Sequence, residues 1–139
     1  MVKIYLDASV IIAAMLSPTG GSAKLIQFIK LGIVSGISSQ TIVEEVEKHS
    51  AKIGKKVSDI RLFIKDNGIL VRKKTTQDEA KPYQDMVVED DLHVIAGAKL
   101  TKSDYLVTLD KKHLLKEEVR KLVKPLKIVN PERYLKGLV

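Results

Sequence analysis

Residues 1–16 read MVKIYLDASVIIAAML, and this stretch contains the pattern that decides the fold. Residues 2–6 form an apolar, β-branched run that is typical of a buried strand. Asp7 and Ser9 interrupt the run, and Ser9 is a suitable N-cap for a helix over residues 10–16, which Ser17-Pro18 ends. The chain is therefore predicted to begin as a strand that passes directly into a helix.

The same alternation continues to the end of the chain. Further strands are predicted at residues 33–37, 69–71, 105–109 and 127–129, and helices are predicted to start near residues 22, 39, 58, 92, 111 and 130. Residues 72–90 are polar and are interpreted as a loop or a short irregular helix. Strands that alternate with helices predict an α/β fold, a three-layer α/β/α sandwich with a mainly parallel central sheet. We expect residues 1–139 to form a single domain.

Composition restricts the class of protein. The 139 residues include 24 Lys and Arg against 17 Asp and Glu, a net charge of +7, which favours polyanionic partners and nucleic acid above all. A solvated, Lys-rich surface explains the same charge equally well. Cysteine is absent, which excludes disulfides and thiolate metal sites and is compatible with the cytoplasm. No apolar stretch approaches the roughly 20 residues of a membrane span, and the N-terminus has no signal-peptide pattern, so neither membrane association nor secretion is expected.

Four widely separated carboxylates lie at the ends of predicted elements or near their starts. Asp7 and Asp110 follow strands, Asp91 opens a helix, and Glu45 lies within one. Ligands of open parallel sheets bind beyond the carboxyl ends of the strands, where these acids are predicted to converge. Gathering them costs repulsion unless a cation lies between them, and oxygen ligands of this kind suit Mg²⁺ or Mn²⁺.

The segments that carry these acids resemble the PIN domain family of nucleases. They occur in the order and spacing of that family and cover essentially the whole chain: residues 5–9 (YLDAS), 39–46 (SQTIVEEV), 91–98 (DLHVIAGA) and 103–110 (SDYLVTLD). Residues 15–21 (MLSPTGG) also resemble the toxin-like, VapC-type ribonucleases of the family.

The resemblance implies a site and a reaction. The catalytic and metal-binding acids of the family fall on Asp7, Glu45, Asp91 and Asp110, with Ser9 and Thr108 as supporting residues. It further implies an endoribonuclease that hydrolyses RNA phosphodiester bonds with Mg²⁺ or Mn²⁺ and acts as the toxin of a toxin–antitoxin pair. The implied partners are RNA, an antitoxin protein and a second copy of the chain.

Two pairs of neighbouring acids leave alternatives. Glu44 and Glu45 point about 100° apart on a helix, so only one of them can be the main ligand, and the apolar pattern around them favours Glu45. Asp90 competes with Asp91, which keeps the family's spacing to the helix that follows. Asp104 precedes a strand and is expected at the far end of the sheet, away from the site.

Two other functions compete with the nuclease. One is a non-catalytic module of the same fold that docks RNA or protein through its basic face. The other is a phosphotransfer switch, which needs two acids at the first strand end, where only Asp7 is present. His49, His93 and His113 show no ligand-like spacing among themselves, and packing or exposure is the expected role of each.

Overall fold

A computed structural model describes residues 1–138, and a parallel sheet forms its centre. The strands are β1 (Lys3–Leu6), β2 (Ser35–Ser39), β3 (Leu70–Arg72), β4 (Tyr105–Val107) and β5 (Lys127–Val129), and they are ordered β3-β2-β1-β4-β5. Every neighbouring pair is parallel. This confirms the predicted α/β fold, because each parallel connection returns through helices that cover the faces of the sheet.

Nine α-helices occur within residues 1–138, eight between the strands and one after β5. They are α1 (Ala8–Leu16), α2 (Gly21–Lys30), α3 (Gln40–Lys48), α4 (Ser50–Ile53), α5 (Val57–Asp66), α6 (Gln77–Ala80), α7 (Leu92–Leu100), α8 (Glu117–Leu122) and α9 (Pro131–Lys136). Two 3₁₀ turns, Lys81–Tyr83 and Glu89–Asp91, precede α7. The helix starts predicted near residues 39 and 130 are confirmed: Ser39 accepts from Ile42 N–H at the start of α3, and Asn130 accepts from Arg133 N–H ahead of α9.

Four local predictions are wrong. Strand β4 ends at Val107, two residues earlier than predicted. Asp7 rather than Ser9 caps α1, because its carboxylate accepts a hydrogen bond from Ala8 N–H. Strand β2 begins at Ser35, two residues later than predicted, where it pairs with Lys3 of β1. Residues 111–115 form a turn instead of the start of a helix, and α8 begins only at Glu117.

The core surrounds β1, the middle strand. Ile4, Tyr5 and Leu6 are fully buried, as are Ile95 of α7 and Leu106 of β4. Since Leu6 pairs with Val107, the carboxyl ends of β1 and β4 lie side by side at one edge of the sheet. The residues that follow these two strands are therefore brought to the same place.

Within residues 1–138, no single helix is both long and apolar enough to cross a membrane. Taken together, α1 and α2 pass that test of length and composition, but the chain bends by 100° at the break between them. The single-domain organisation of residues 1–139 stays a prediction, and Val139 lies outside the described residues.

Candidate metal centre

Asp7 occupies the junction of β1 and α1. Its backbone N–H donates to the carbonyl of Val107 at 3.1 Å, which continues the pairing of β1 with β4 by one residue. Its Oδ1 accepts from Ala8 N–H at 2.8 Å and so caps the helix. Because one residue ends the strand, begins the helix and bridges to β4, its carboxylate has a fixed place at the carboxyl edge of the sheet.

The second oxygen of Asp7 is held by two hydroxyls. Thr108 Oγ1 donates to Asp7 Oδ2 at 2.6 Å, and Ser9 Oγ donates to the same oxygen at 3.0 Å. The hydroxyls are themselves oriented by backbone donors, since Ser9 Oγ accepts from Leu109 N–H and Thr108 Oγ1 accepts from Asp110 N–H. Ser9 and Thr108, predicted as supporting residues, therefore both contact Asp7.

Burial raises the pKa of the Asp7 carboxyl, whose residue is only 7% exposed. The hydrogen bonds from Thr108 and Ser9 oppose this effect, and the charge of Glu45 adds to it. The Asp7 carboxylate is thus costly to ionise in the protein alone, and a nearby cation would relieve that cost.

Asp91 and Asp110 converge with His113 at the same edge. His113 Nδ1 lies 3.4 Å from Asp110 Oδ2 and 3.7 Å from Asp91 Oδ2. The three candidate ligand atoms all lie within 4.8 Å of one another, a spacing that one metal ion can bridge. Asp110 is oriented through its other oxygen, because Oδ1 accepts from the backbone N–H groups of Lys112 and His113.

Asp91 is perturbed by its surroundings. Burial raises the pKa of its carboxyl to about 6, and repulsion from Asp110 and Asp7 adds to the effect, while His113 and His93 oppose it. Asp7 therefore interacts electrostatically with Glu45 on α3 and with Asp91 ahead of α7. A carboxyl whose pKa is raised by burial and by a neighbouring acid is a candidate functional residue.

Glu44 and Glu45 have different environments. Glu45 Oε1 lies 3.5 Å from His93 Nε2, on the side of the helix that faces α7. Glu44 lies 3.1 Å from Lys74 Nζ, and the hydrogen bond from Lys74 lowers the pKa of the Glu44 carboxyl. The structure thus places Glu45 beside the cluster and pairs Glu44 with a lysine, and the choice of Glu45 as a ligand stays a prediction.

The two remaining acids lie in different places. Asp90 is exposed and lines a groove of about 990 Å³ between α3, α6 and the start of α7. Asp104 lies at the opposite edge of the sheet, where its Oδ2 accepts from Lys3 N–H at 2.8 Å and joins the amino ends of β1 and β4. Asp104 therefore has a structural contact away from the cluster.

The contacts of two histidines were not predicted from the sequence. His113 lies beside Asp91 and Asp110, and His93 lies beside Glu45. A signal for His113 exists in the sequence, since an Asp that follows a strand often folds the next residues back over its own carboxylate. The predicted helix over residues 111–121 obscured it.

Comparison with known families gives one result. A family model described as "PIN domain" matches residues 3–112, a range that includes Asp7, Glu45, Asp91 and Asp110 and ends one residue before His113. Comparison with curated proteins gives no match.

Proposed function

The chain belongs to the PIN domain family, and on that premise we propose that it is a metal-dependent endoribonuclease that hydrolyses RNA phosphodiester bonds. The observation that carries the proposal is the convergence of Asp91 and Asp110 on one space, next to the buried carboxylate of Asp7. Burial and the charges of Asp110 and Asp7 raise the pKa of the Asp91 carboxyl, so this arrangement is maintained at a cost in stability, and a catalytic cation accounts for that cost.

The residues present fit a divalent cation. Asp91 and Asp110 would hold it through carboxylate oxygens, Asp7 and Glu45 are the further proposed ligands, and hard oxygen donors suit Mg²⁺ or Mn²⁺. Such a cation supplies a Lewis acid for the phosphodiester and activates water as the nucleophile.

The protein's own groups position the reaction. Thr108, Ser9 and Ala8 N–H hold the two oxygens of Asp7, and the backbone N–H groups of the 110–113 turn hold one oxygen of Asp110, so both carboxylates have fixed directions. Fixed ligands need little reorganisation during the reaction, which is a main source of enzymatic rate enhancement.

The groove beside the cluster is a suitable path for RNA. Its lining contains the lysines Lys48 and Lys81 together with six acids: Glu44, Glu45, Asp78, Glu89, Asp90 and Asp91. The lysines would bind backbone phosphates without reading sequence, and a cation held by the acids would offset their repulsion of the phosphate.

The biological role completes the proposal. We assign the protein to the toxin-like, VapC-type branch, with an antitoxin that covers the groove, a cytoplasmic location and a single domain. A second copy would pack on the α1–α2 side, where Leu16 is 56% exposed and Leu31 is 72% exposed. The resemblance of residues 15–21 and the absence of cysteine support this assignment.

Substitution of the first and last acids tests the proposal. Asp7→Asn and Asp110→Asn should each reduce cleavage of single-stranded RNA in Mn²⁺ or Mg²⁺ by at least about 100-fold, and a chelator should abolish cleavage by the wild-type protein. Circular dichroism checks that each variant is folded. Asp66→Asn, which removes an exposed carboxylate at the end of α5, is the matched control and should cleave normally.

Two outcomes would contradict the nuclease. Unchanged cleavage in both site variants would show that these acids are not catalytic. RNA binding by the wild-type protein without any cleavage in either metal would favour the alternative function, a PIN-fold binding module.

A further inference from the structure

Three polar atoms face one another across a gap at the carboxyl edge of the sheet. His113 Nδ1 is 3.4 Å from Asp110 Oδ2 and 3.7 Å from Asp91 Oδ2. Both separations exceed the usual length of an N–H···O hydrogen bond. The three atoms are nevertheless close enough to one another to contact a single ion.

We infer that His113 Nδ1 is a nitrogen ligand of the same cation that Asp91 and Asp110 hold, so that the centre prefers a first-row transition ion such as Mn²⁺ to Mg²⁺. The inference rests on the proposed function for the presence of a cation and goes beyond it in naming a ligand and a metal preference.

The spacing of the atoms supports the assignment. Two ligands at bond lengths of about 2.0–2.3 Å from one ion lie about 3 Å apart when adjacent and about 4–4.6 Å apart when opposite. The separations of 3.4 and 3.7 Å fall between these limits. The three atoms are therefore spaced as ligands of one ion would be.

The local backbone also supports it. Asp110 Oδ1 accepts from the N–H groups of Lys112 and His113, which leaves Oδ2 available on the side of the gap. A further bond from Leu115 N–H to the carbonyl of Asp110 closes the turn. The turn that orients Asp110 therefore also carries the imidazole towards the same point, and both ligands would come from one rigid segment.

The chemistry of the donor set gives the metal preference. Mg²⁺ favours oxygen donors and retains its waters, whereas imidazole nitrogen binds first-row transition ions more readily. Four carboxylates alone would not favour Mn²⁺ over Mg²⁺ in this way, so the expected preference for Mn²⁺ follows from the His113 imidazole. An alternative role, a protonated imidazole that only neutralises the two acids, would leave the metal preference unchanged when His113 is removed.

Pulsed electron paramagnetic resonance of bound Mn²⁺ tests the inference without reference to activity. The spin echo of Mn²⁺ in the wild-type protein should show modulation from a directly bonded nitrogen-14 nucleus. His113→Gln should abolish the modulation, and His93→Gln, which alters the histidine beside Glu45, should retain it. Titration with MnCl₂ and MgCl₂ should show Mn²⁺ affinity reduced about tenfold or more in His113→Gln, with Mg²⁺ affinity changed less than about threefold.

The outcomes separate this inference from the proposed function. RNA cleavage without nitrogen modulation, or modulation lost in His93→Gln and retained in His113→Gln, would overturn the inference and leave the nuclease intact. Modulation that depends on His113 in a protein that cleaves no RNA would support the inference and overturn the nuclease. If His113→Gln does not fold, a variant in which both His49 and His93 are Gln, with His113 as the sole histidine, must retain the modulation.

Discussion

At the scale of single residues, Asp7 has a structural role and a place in the acidic cluster, and its two carboxylate oxygens make different contacts. Oδ1 caps α1, and Oδ2 takes the hydroxyls of Thr108 and Ser9. Asparagine can keep the cap, because its carbonyl oxygen still accepts from Ala8 N–H and its amide can donate to a rotated hydroxyl. The amide removes the charge with little loss of structure, which makes Asp7→Asn an informative substitution.

The pair of adjacent glutamates provides a matched comparison. Glu45→Gln should reduce metal-dependent RNA cleavage about 10- to 100-fold, because it removes a charge that interacts with Asp7. Glu44→Gln should change cleavage less than about fivefold, because it alters a solvent-facing contact with Lys74. Steady-state cleavage assays on both variants measure the difference, and a larger loss in Glu44→Gln would reverse the assignment.

Asp91→Asn should stabilise the metal-free protein in a pH-dependent way. The pKa of Asp91 is raised from 3.8 to about 6, so its ionisation costs stability that grows as pH rises between these values and stays constant above them. The variant should therefore be about 1–3 kcal/mol more stable than wild type at about pH 7.5 and nearly equal to it at about pH 4.

Urea unfolding with a chelator present measures this difference at the two pH values. Asp66→Asn, whose carboxylate is exposed, serves as the control for loss of one negative charge. An equal effect of Asp91→Asn at both pH values would show that the carboxyl is not destabilised by its surroundings.

The sequence predicts some of these residues better than others. Asp7 and Asp110 follow parallel strands, and parallel strands bring their carboxyl ends to one edge, so their proximity is expected from topology alone. His113 depends on how the chain turns after Asp110, and a helix and an Asp-capped turn are both compatible with residues 111–115. Helical periodicity favoured the helix, while the hydrogen bonds of the Asp110 carboxylate favour the turn.

At the scale of elements, the boundaries of a strand depend on its partner strand, which the local sequence does not specify. The β-branched Ile33 and Val34 led to an early start for β2, but the strand follows the register set by β1 and ends in two serines. Ser38 is fully buried because its hydroxyl donates to the carbonyl of Leu6 at 2.9 Å. Propensity describes a residue's preference, whereas register depends on a partner strand some thirty residues away.

The contact between α7 and β1 requires glycine at position 97, because a side chain there would collide with Tyr5. A Cβ atom built on Gly97 would lie 2.5 Å from Cζ of Tyr5, whose ring is fully buried. Gly97→Ala should therefore destabilise the protein by about 1–3 kcal/mol, even though alanine is the better helix former. Thermal and urea unfolding measure the loss.

A double-mutant cycle supplies the control for this prediction. In a Tyr5→Leu background the ring is absent, so Gly97→Ala should cost much less than in the wild-type background. Equal costs in the two backgrounds would show that the ring is not the reason for the glycine.

At the scale of the whole molecule, charge is distributed unevenly. The chain has a net charge of +7, yet Asp7, Asp91 and Asp110 gather at one edge of the sheet. The remaining surface is correspondingly more basic, and a basic surface around an acidic centre attracts a polyanion while reserving the centre for a cation.

Binding of RNA should accordingly depend on salt. We expect the affinity of Asp7→Asn for single-stranded RNA to fall about 20-fold between about 50 and about 200 mM NaCl, as for about three phosphate contacts. Fluorescence anisotropy measures the affinity without interference from cleavage. An affinity independent of salt would exclude binding through the lysines.

The strand order also governs when the molecule can become active. Strand β1 is made first during synthesis, but its neighbour β4 lies about a hundred residues later, and Asp7 has its full set of partners only when Val107 and Thr108 are in place. Contacts so distant in sequence form late in folding. A nascent or truncated chain that ends before Tyr105 thus lacks Asp110 and the strand that holds Asp7, so the proposed nuclease could not be active before these residues have been made.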